Sequence, residues 1–402
     1  MDVSLQRDCS SDKRSLRVLV IAPNDLQVYD GTTMRLIGSI TSVCSDIEIS
    51  LASKNLNEEL KKCELKWIKM KNINPLTRLI VITFYSINRS LGKSIALDLF
   101  GRQEIDCDLI HAHWIHSIPL AKGLSEETPL LLDLHGLFEL TPVDLRAPHF
   151  WAFVRISRVL ERIILSNSNN FTNLIVPSLP LKNYIAERFG IQKDKIFVIP
   201  DGLDLEKIPP YEERSISSLR EELGLNGGYL IVYAGTPSFY HGFWDLLKAF
   251  KLVRRYLENV HLLIITPRHM RKKFDSEGII FIENVPKERI YKYLYASDAL
   301  ILPHRCGTQF EYLPSNKLLD YIAVGKPIIA YATSSVTQAL EHYPLKKIVE
   351  CNNPSALAQG IIEALRDLRG ARIDGSKIIK EYDWRVIGKR LLEVYKNVRT
   401  IS

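Results

Sequence analysis

Long apolar runs are missing from this 402-residue chain: the longest, such as LIVITFYSI, reach about half of the roughly 18 residues that would span a bilayer. The polar start, MDVSLQRDCSSDKR, contains no apolar core segment, so neither a signal peptide nor an anchor is expected there. Cysteine is sparse. The six residues, at 9, 44, 63, 107, 306 and 351, form no Cys-x-x-Cys pair, which argues for reduced thiols in an intracellular protein and against a zinc site or a disulfide framework. No GxGxxG turn and no GxxxxGK[ST] phosphate loop occurs, which weighs against dinucleotide oxidoreductases and ATPases. Nucleic-acid motifs and concentrated arginine runs are likewise missing, so no nucleic-acid partner is expected.

What is present is ordinary in total and informative in arrangement. The net charge of +7 is uneven: basic and acidic residues balance through Leu205, and the excess lies beyond it. Within the balanced half, Lys61, Lys62, Lys66, Lys69, Lys71, Arg78, Arg89 and Lys93 face only Glu64 between residues 61 and 93, interleaved with Trp67, Ile68, Met70, Leu79, Phe84 and Tyr85. Such a patch can lie on an anionic membrane surface or attract a phosphorylated acceptor. A solvated helix face over ordinary core residues is the plainer alternative.

The length exceeds what one hydrophobic core serves, and two domains of about 200 residues each are the natural division. Short β-branched runs alternate with amphipathic stretches throughout, the pattern of parallel α/β sheets. Strands are expected at Leu16 to Ala22, Ile47 to Ala52, Leu109 to His111, Leu130 to Leu134, Leu174 to Val176 and Ile196 to Ile199. A polar stretch holding Pro209-Pro210 reads as a linker. The alternation then restarts, with strands expected at Tyr229 to Ala234, Val260 to Thr266, Ile279 to Ile282, Ala299 to Leu302 and Pro327 to Tyr331. The expected architecture is two open parallel-sheet, Rossmann-like α/β domains facing a cleft, over residues 1–204 and 205–383. The apolar spacing of WRVIGKRLLEVYKNV makes 384–402 a terminal amphipathic helix.

Ligands in open α/β sheets bind beyond the carboxyl ends of strands, and four such loops carry suggestive residues. In the first, PNDLQVYDGTTMR, Gly31 and Thr32 can bring backbone N–H groups to a ligand, or Thr32 or Thr33 can simply cap a helix. In the second, LLLDLHGLFE, Asp133 and His135 share one strand face. His135 can donate to a hydroxyl, act as acid or base, or be a satisfied structural histidine; His111 and His113 read as structural. These histidines raise the question of a metal, but no carboxylate or thiolate completes a set at usual ligand spacing. The third loop, AGTPSFYHGFWDLLKAF, offers Gly235, Thr236 and His241 ahead of a long helix. The fourth, LPHRCGTQFEYLPSNKLLDYIAVGKPIIA, carries Glu311, Ser315, Lys317 and Asp320, with Ser315 able to cap a helix that Gly325 ends. Lys317 sits in that helix's first turn, where the dipole is positive. Either a bound phosphate offsets the mismatch or Lys317 pairs with Asp320 one turn on.

The four loops in this order, together with DLIHAHWIHSIPLA, NLIVPSLPLKNYIAERFGIQKDKIFVIPDGLD, ERIYKYLYASDALILP and KLLDYIAVGKPIIA, resemble family 4 of the retaining glycosyltransferases, which have the two-sheet GT-B fold. The resemblance covers nearly the whole chain. It implies an acceptor-binding first domain, a nucleotide-sugar-binding second domain, a final helix that returns to the first domain, and transfer with retention of configuration. No metal or other cofactor is expected, the nucleotide sugar being a co-substrate. His135 falls where the family has a histidine beside the transferred sugar. Asp320 takes the second position of the Glu-x7-Glu motif, whose first position falls at Tyr312, so Glu311 is offset by one residue. His241 stands where a lysine often holds the diphosphate, and Lys317 shares or inherits that charge. The catalytic residues so implied are His135, Glu311 and Asp320; donor contacts are Gly235, Thr236, His241, Ser315, Lys317 and Leu318; Gly31 and Thr32 line the acceptor loop. The expected acceptor is a glycan or lipid-linked sugar at the cytoplasmic membrane face. An epimerase of the same fold and a catalytically silent binding protein are the alternatives.

Overall fold

The structure, a computed structural model, describes residues 15–22, 31–70, 75–100, 105–141, 148–225, 227–266 and 277–400. Thirteen strands occur among them: β1 (Arg17–Ala22), β2 (Glu48–Ser53), β3 (Leu65–Lys69), β4 (Leu109–His113), β5 (Leu130–Asp133), β6 (Asn173–Val176), β7 (Ile196–Val198), β8 (Tyr229–Ala234), β9 (Val260–Thr266), β10 (Ile279–Glu283), β11 (Ala299–Leu302), β12 (Ile328–Tyr331) and β13 (Lys346–Val349). The helices of the first half are α1 (Gly31–Thr41), α2 (Pro75–Ile87), α3 (Arg89–Phe100), α4 (Ile118–Leu124), α5 (Pro148–Leu165) and α6 (Leu179–Phe189). The second half adds α7 (Glu213–Glu222), α8 (Phe243–Tyr256), α9 (Lys287–Ala296), α10 (Asn316–Val324), α11 (Ser334–Ala339), α12 (Pro354–Asp367), α13 (Gly375–Ile378) and α14 (Trp384–Thr400).

The strands form two wholly parallel sheets, ordered β3-β2-β1-β4-β5-β6-β7 and β10-β9-β8-β11-β12-β13. Central strands such as LIHAH and ALIL are buried at every position, because helices cover both faces. Each sheet reverses its winding once, between β1 and β4 and between β8 and β11. Those switch points are where a crevice opens beyond the strand ends.

The two sheets have separate cores on each face, joined at two places. Leu313, from the second half, is buried in the core of the first sheet. The terminal helix α14 also crosses over, burying Ile387, Leu391, Val394, Tyr395 and Val398 against Val18, Val20, Leu36 and Ile40. At about 1.5–3 kcal/mol for each fully buried large apolar side chain, this contact is a major part of the first unit's stability. A parallel backbone bridge between Leu203 and Asp383 holds the two crossings of the chain side by side, with the Leu203 amide donating to the Tyr382 carbonyl at 2.7 Å.

Three expectations need correction. The segment 61–93 is not one element: Lys61 and Lys62 lie in a 3-10 turn, Lys66 and Lys69 on the edge strand β3, Arg78 on α2, and Arg89 and Lys93 on α3, while Lys71 lies outside the described residues. Much of its charge is engaged, Lys61 with Glu58, Lys93 with Glu126 and Arg89 with Asn170. The thiols are not all reduced, since Cys306 and Cys351 form a disulfide across the carboxyl ends of β11 and β13. Finally, Ser315 occupies the N-cap position of α10, but its hydroxyl caps nothing. Among the described residues no helix is long and apolar enough to cross a membrane.

Candidate active site

On the first sheet, the ends of β4 and β5 hold a buried cluster of titratable groups. Arg35, from α1, straddles Asp133 with both N–O distances at 3.3 Å and donates to Asp201 at 2.9 Å. Burial works to raise the Asp133 pKa, but Arg35 and the neighbouring histidines hold it well below the usual carboxylate range. His111 Nδ1 lies 2.8 Å from the Tyr395 hydroxyl, which arrives on α14. His113 Nδ1 lies 2.7 Å from His135 Nε2.

His135 therefore has one ring nitrogen committed to His113 and the other, Nδ1, buried with no partner among the described residues. Burial pushes its pKa down to about 4, so it is a neutral imidazole near pH 7. Trp114 stacks on it with ring centres 5.3 Å apart and planes 16° apart. The Trp114 backbone has φ of 67°, a region that costs a non-glycine residue about 1–3 kcal/mol and that surrounding structure must enforce.

The ligand atoms of His111, His113 and Asp133 lie within 4.8 Å of one another, so a carboxylate does complete a histidine set, contrary to the spacing argument. The set does not suit a cation. The Arg35 guanidinium already neutralises the carboxylate, and His111 and His113 each spend one nitrogen on Tyr395 and His135.

The second sheet contributes a basic site at the ends of β8 and β11. Gly235 has φ of 152°, and a Cβ there would stand 2.3 Å from Lys317 Nζ, so a larger residue would push the lysine end away from this point. Lys317 reaches from the first turn of α10 to this point, 5.4 Å above the Tyr233 ring. Its Nζ is buried without a hydrogen-bond partner among the described residues, and burial lowers its pKa to about 7. It does not pair with Asp320. His241, held by Ser238 at 2.7 Å, and His304, stacked on Phe310 at 4.1 Å, complete the pocket wall; burial first, then Lys317, pushes His241 down to about 3. Thr236 offers no contact of its own hydroxyl, but its carbonyl accepts from Tyr233 at 3.0 Å.

Asp320 accepts from the Tyr291 hydroxyl at 2.6 Å, with Lys287 at 3.9 Å, and burial raises its pKa. Glu311 is turned elsewhere. Its carboxylate accepts from the Ser334 amide at 3.1 Å and hydroxyl at 2.7 Å, at the start of α11. Ser315 and Leu318 line a cavity of about 220 Å³ between the two halves, shared with Pro177, Asp201 and Tyr382 and separate from Lys317 and His241. Gly31 opens α1; the loop before it lies outside the described residues, as do the side chains of Gly31 and Thr32.

The structure thus groups Gly235, His241 and Lys317 around one spot and His135 with its supports at another, while Glu311 and Asp320 point to separate neighbours. Four residues that matter were not foreseen: Arg35, Trp114, His304 and Tyr395. The rule that singled out His135, a histidine ending a parallel strand, also finds His304 after β11. Arg35 had a weaker signal, an arginine within the apolar run of MRLIGSI.

Two Rossmann-like parallel-sheet units in one chain, of seven and six strands, define the GT-B class. The sequence model of "Glycosyltransferase Family 4" matches residues 47–207, and that of "Glycosyl transferases group 1" matches residues 228–367. The chain belongs to this family of glycosyltransferases. It is 24% identical over 330 residues to a D-inositol 3-phosphate glycosyltransferase of Corynebacterium urealyticum, covering 75% of this chain and 74% of that one. It is 23% identical over 249 residues to a lipopolysaccharide 1,2-N-acetylglucosaminetransferase of Salmonella typhimurium, covering 57% of this chain and only 63% of that protein's length. In fold it is similar to Anabaena HepE, solved in complex with UDP and glucose, with a TM-score of 0.66 at 14% identity, over 95% of this chain and 100% of HepE.

Proposed function

We propose that the chain moves a sugar from a nucleoside diphosphate sugar to a hydroxyl of a glycan or lipid-linked acceptor at a membrane face, with retention at the anomeric carbon. The observation that carries this reading is the buried, unpartnered Lys317 ammonium beside Gly235 at the start of α10. A diphosphate there would gain Lys317, the helix dipole and free first-turn N–H groups together. The UDP in the HepE complex supports a nucleoside diphosphate as the occupant.

The chemistry follows from the groups available. As the bond from the anomeric carbon to the leaving phosphate breaks, negative charge develops on the diphosphate, and Lys317 stabilises it. The acceptor hydroxyl forms the new bond on the same face and gives its proton to a leaving phosphate oxygen. His135 Nδ1 would bond a hydroxyl of the sugar, and Asp320 the ribose. Glu311 would reach the sugar only by leaving Ser334. Charge is supplied by Lys317 and the α10 dipole, so no metal is needed, and excess chelator should leave the rate unchanged.

The test is release of nucleoside diphosphate from a panel of sugar nucleotides, with detergent-extracted membrane glycolipids as acceptors. Release with wild type and a loss of about tenfold or more in Lys317→Ala would support the reading. No release from any donor would end it. Conversion of donor without acceptor would instead indicate an epimerase, and donor binding without turnover a silent binding protein.

A further inference from the structure

The outer face of α2 and α5 carries apolar side chains where a surface helix ordinarily carries polar ones. On α2, Ile80, Phe84 and Ile87 recur at helical spacing, and Leu91 follows at the start of α3; on α5, Ile156, Val159 and Ile163 do the same. All seven are between 40% and 79% exposed, and the two helices pack side by side. The inward residues of the same helices, among them Leu79, Ile82, Tyr85, Leu160, Ile164 and Leu165, fill the core of the first sheet. These helices are therefore apolar on both sides, which a helix bathed only in water does not require.

Among the described residues, the exposed charges of α5 have one sign. Arg155 and Arg162 stand exposed beside the α5 apolar residues, and Arg89 beside those of α2. The one acidic residue of α5, Glu161, is buried and turned inward, accepting from the Phe138 and Glu139 amides at 3.0 Å each. Asp98, two turns after Leu91 on α3, is the one exposed acidic residue of that helix.

We infer that the α2–α5 face seats this protein on an anionic phospholipid bilayer, with the apolar stripe in the acyl boundary and the arginines at the headgroups. The charge pattern selects this occupant. Two copies joined face to face would oppose arginine to arginine, whereas anionic headgroups complement them. The same helix also grips the active-site loop: Arg158 donates to the Phe138 carbonyl at 3.0 Å and to the Thr141 carbonyl, just after His135. A bilayer at α5 therefore lies against the element that holds the acceptor side of the cleft. This deepens the membrane-acceptor reading and moves the contact from the whole 61–93 patch to α2, α5 and the start of α3.

Co-sedimentation with phosphatidylcholine vesicles, with and without phosphatidylglycerol, tests it. Wild type should pellet only with the anionic vesicles, less in high salt. Ile156→Gln with Val159→Gln and Ile163→Gln, and separately Arg155→Gln with Arg162→Gln, should each lower vesicle partitioning by about tenfold or more. Glutamine is a good helix former, and unchanged helical circular dichroism and melting would show the fold intact. Lys66→Gln with Lys69→Gln should have little effect. The inference is overturned if wild type ignores anionic vesicles, if the stripe variants pellet like wild type, or if they lose only self-association by size exclusion. Nucleoside diphosphate release in the detergent assay is read separately, so loss of turnover with vesicle binding intact would sink the catalytic reading alone.

Discussion

At the scale of single residues, Lys317 carries the sharpest expectation. Burial lowers its pKa to about 7, and a diphosphate beside it would raise that value again. Below pH 7 the amine is already charged and binding takes up no proton. Above pH 7 binding must protonate it, so affinity for UDP should fall as pH rises, with proton uptake visible by calorimetry in buffers of different ionisation enthalpy. Lys317→Ala should weaken UDP by about 1.5–3 kcal/mol and abolish the uptake. The sign for stability is opposite to the usual lysine pairing: the folded pKa is depressed, so the unliganded protein gains stability as pH rises from about 7 toward the ordinary lysine value. A lysine in a first helical turn was legible in the sequence because helix geometry is local. The orientation of Glu311 was not. It depends on Ser334, which lies in a different strand-to-helix connection.

At the scale of elements, legibility followed burial. Central strands such as β8, β9 and β11 are unbroken apolar runs, and their expected bounds agree with the structure. The edge strands β3 and β13 were missed, because LKWIK and KKIV mix lysines with only two or three apolar residues and bury little. The amphipathic character of α14 was legible from apolar spacing and its return to the first domain was implied by the family resemblance, whereas its exact seat depends on glycine. A Cβ at Gly38 would stand 2.1 Å from the Trp384 ring, and one at Gly202 would stand 2.5 Å from it, so the indole lies between two bare backbones. Gly38→Ala should displace Trp384, loosen α14 and cost about 1–3 kcal/mol, read as a lower melting temperature with changed tryptophan fluorescence. The disulfide acts on another element. It ties the loop after β11, which carries His304 and Phe310, to the end of β13 across a sequence separation of 45. Closing a loop of that size stabilises by about 4 kcal/mol in the chain-entropy account. Dithiothreitol should therefore lower the melting temperature of wild type and leave that of Cys351→Ser unchanged.

At the scale of the whole molecule, the two sheets were legible from alternation and length, but their mutual placement was not, since it rests on a few contacts distant in sequence. The seam runs through residues 309–313. Leu313 is buried in the first sheet's core, Tyr312 packs on Tyr184 with ring centres 4.6 Å apart, and the Ser178 hydroxyl donates to the Tyr312 carbonyl. A Cβ at Gly136, next to His135, would lie 3.2 Å from Leu313. This seam therefore sets how far His135 stands from a donor held by Lys317. On the proposed reading, donor binding would need only the second sheet, whereas transfer would need both. Leu313→Ala removes the apolar anchor and leaves Gly235, His241 and Lys317 untouched. It should keep UDP affinity within about twofold yet lower kcat by tenfold to about a hundredfold, the scale expected when reacting groups are misplaced by about 1 Å. Isothermal titration with UDP and steady-state turnover on the same preparation separate the two quantities. A parallel fall in both would mean that the seam supports the donor site itself, and an unchanged kcat would mean that catalysis does not depend on this alignment.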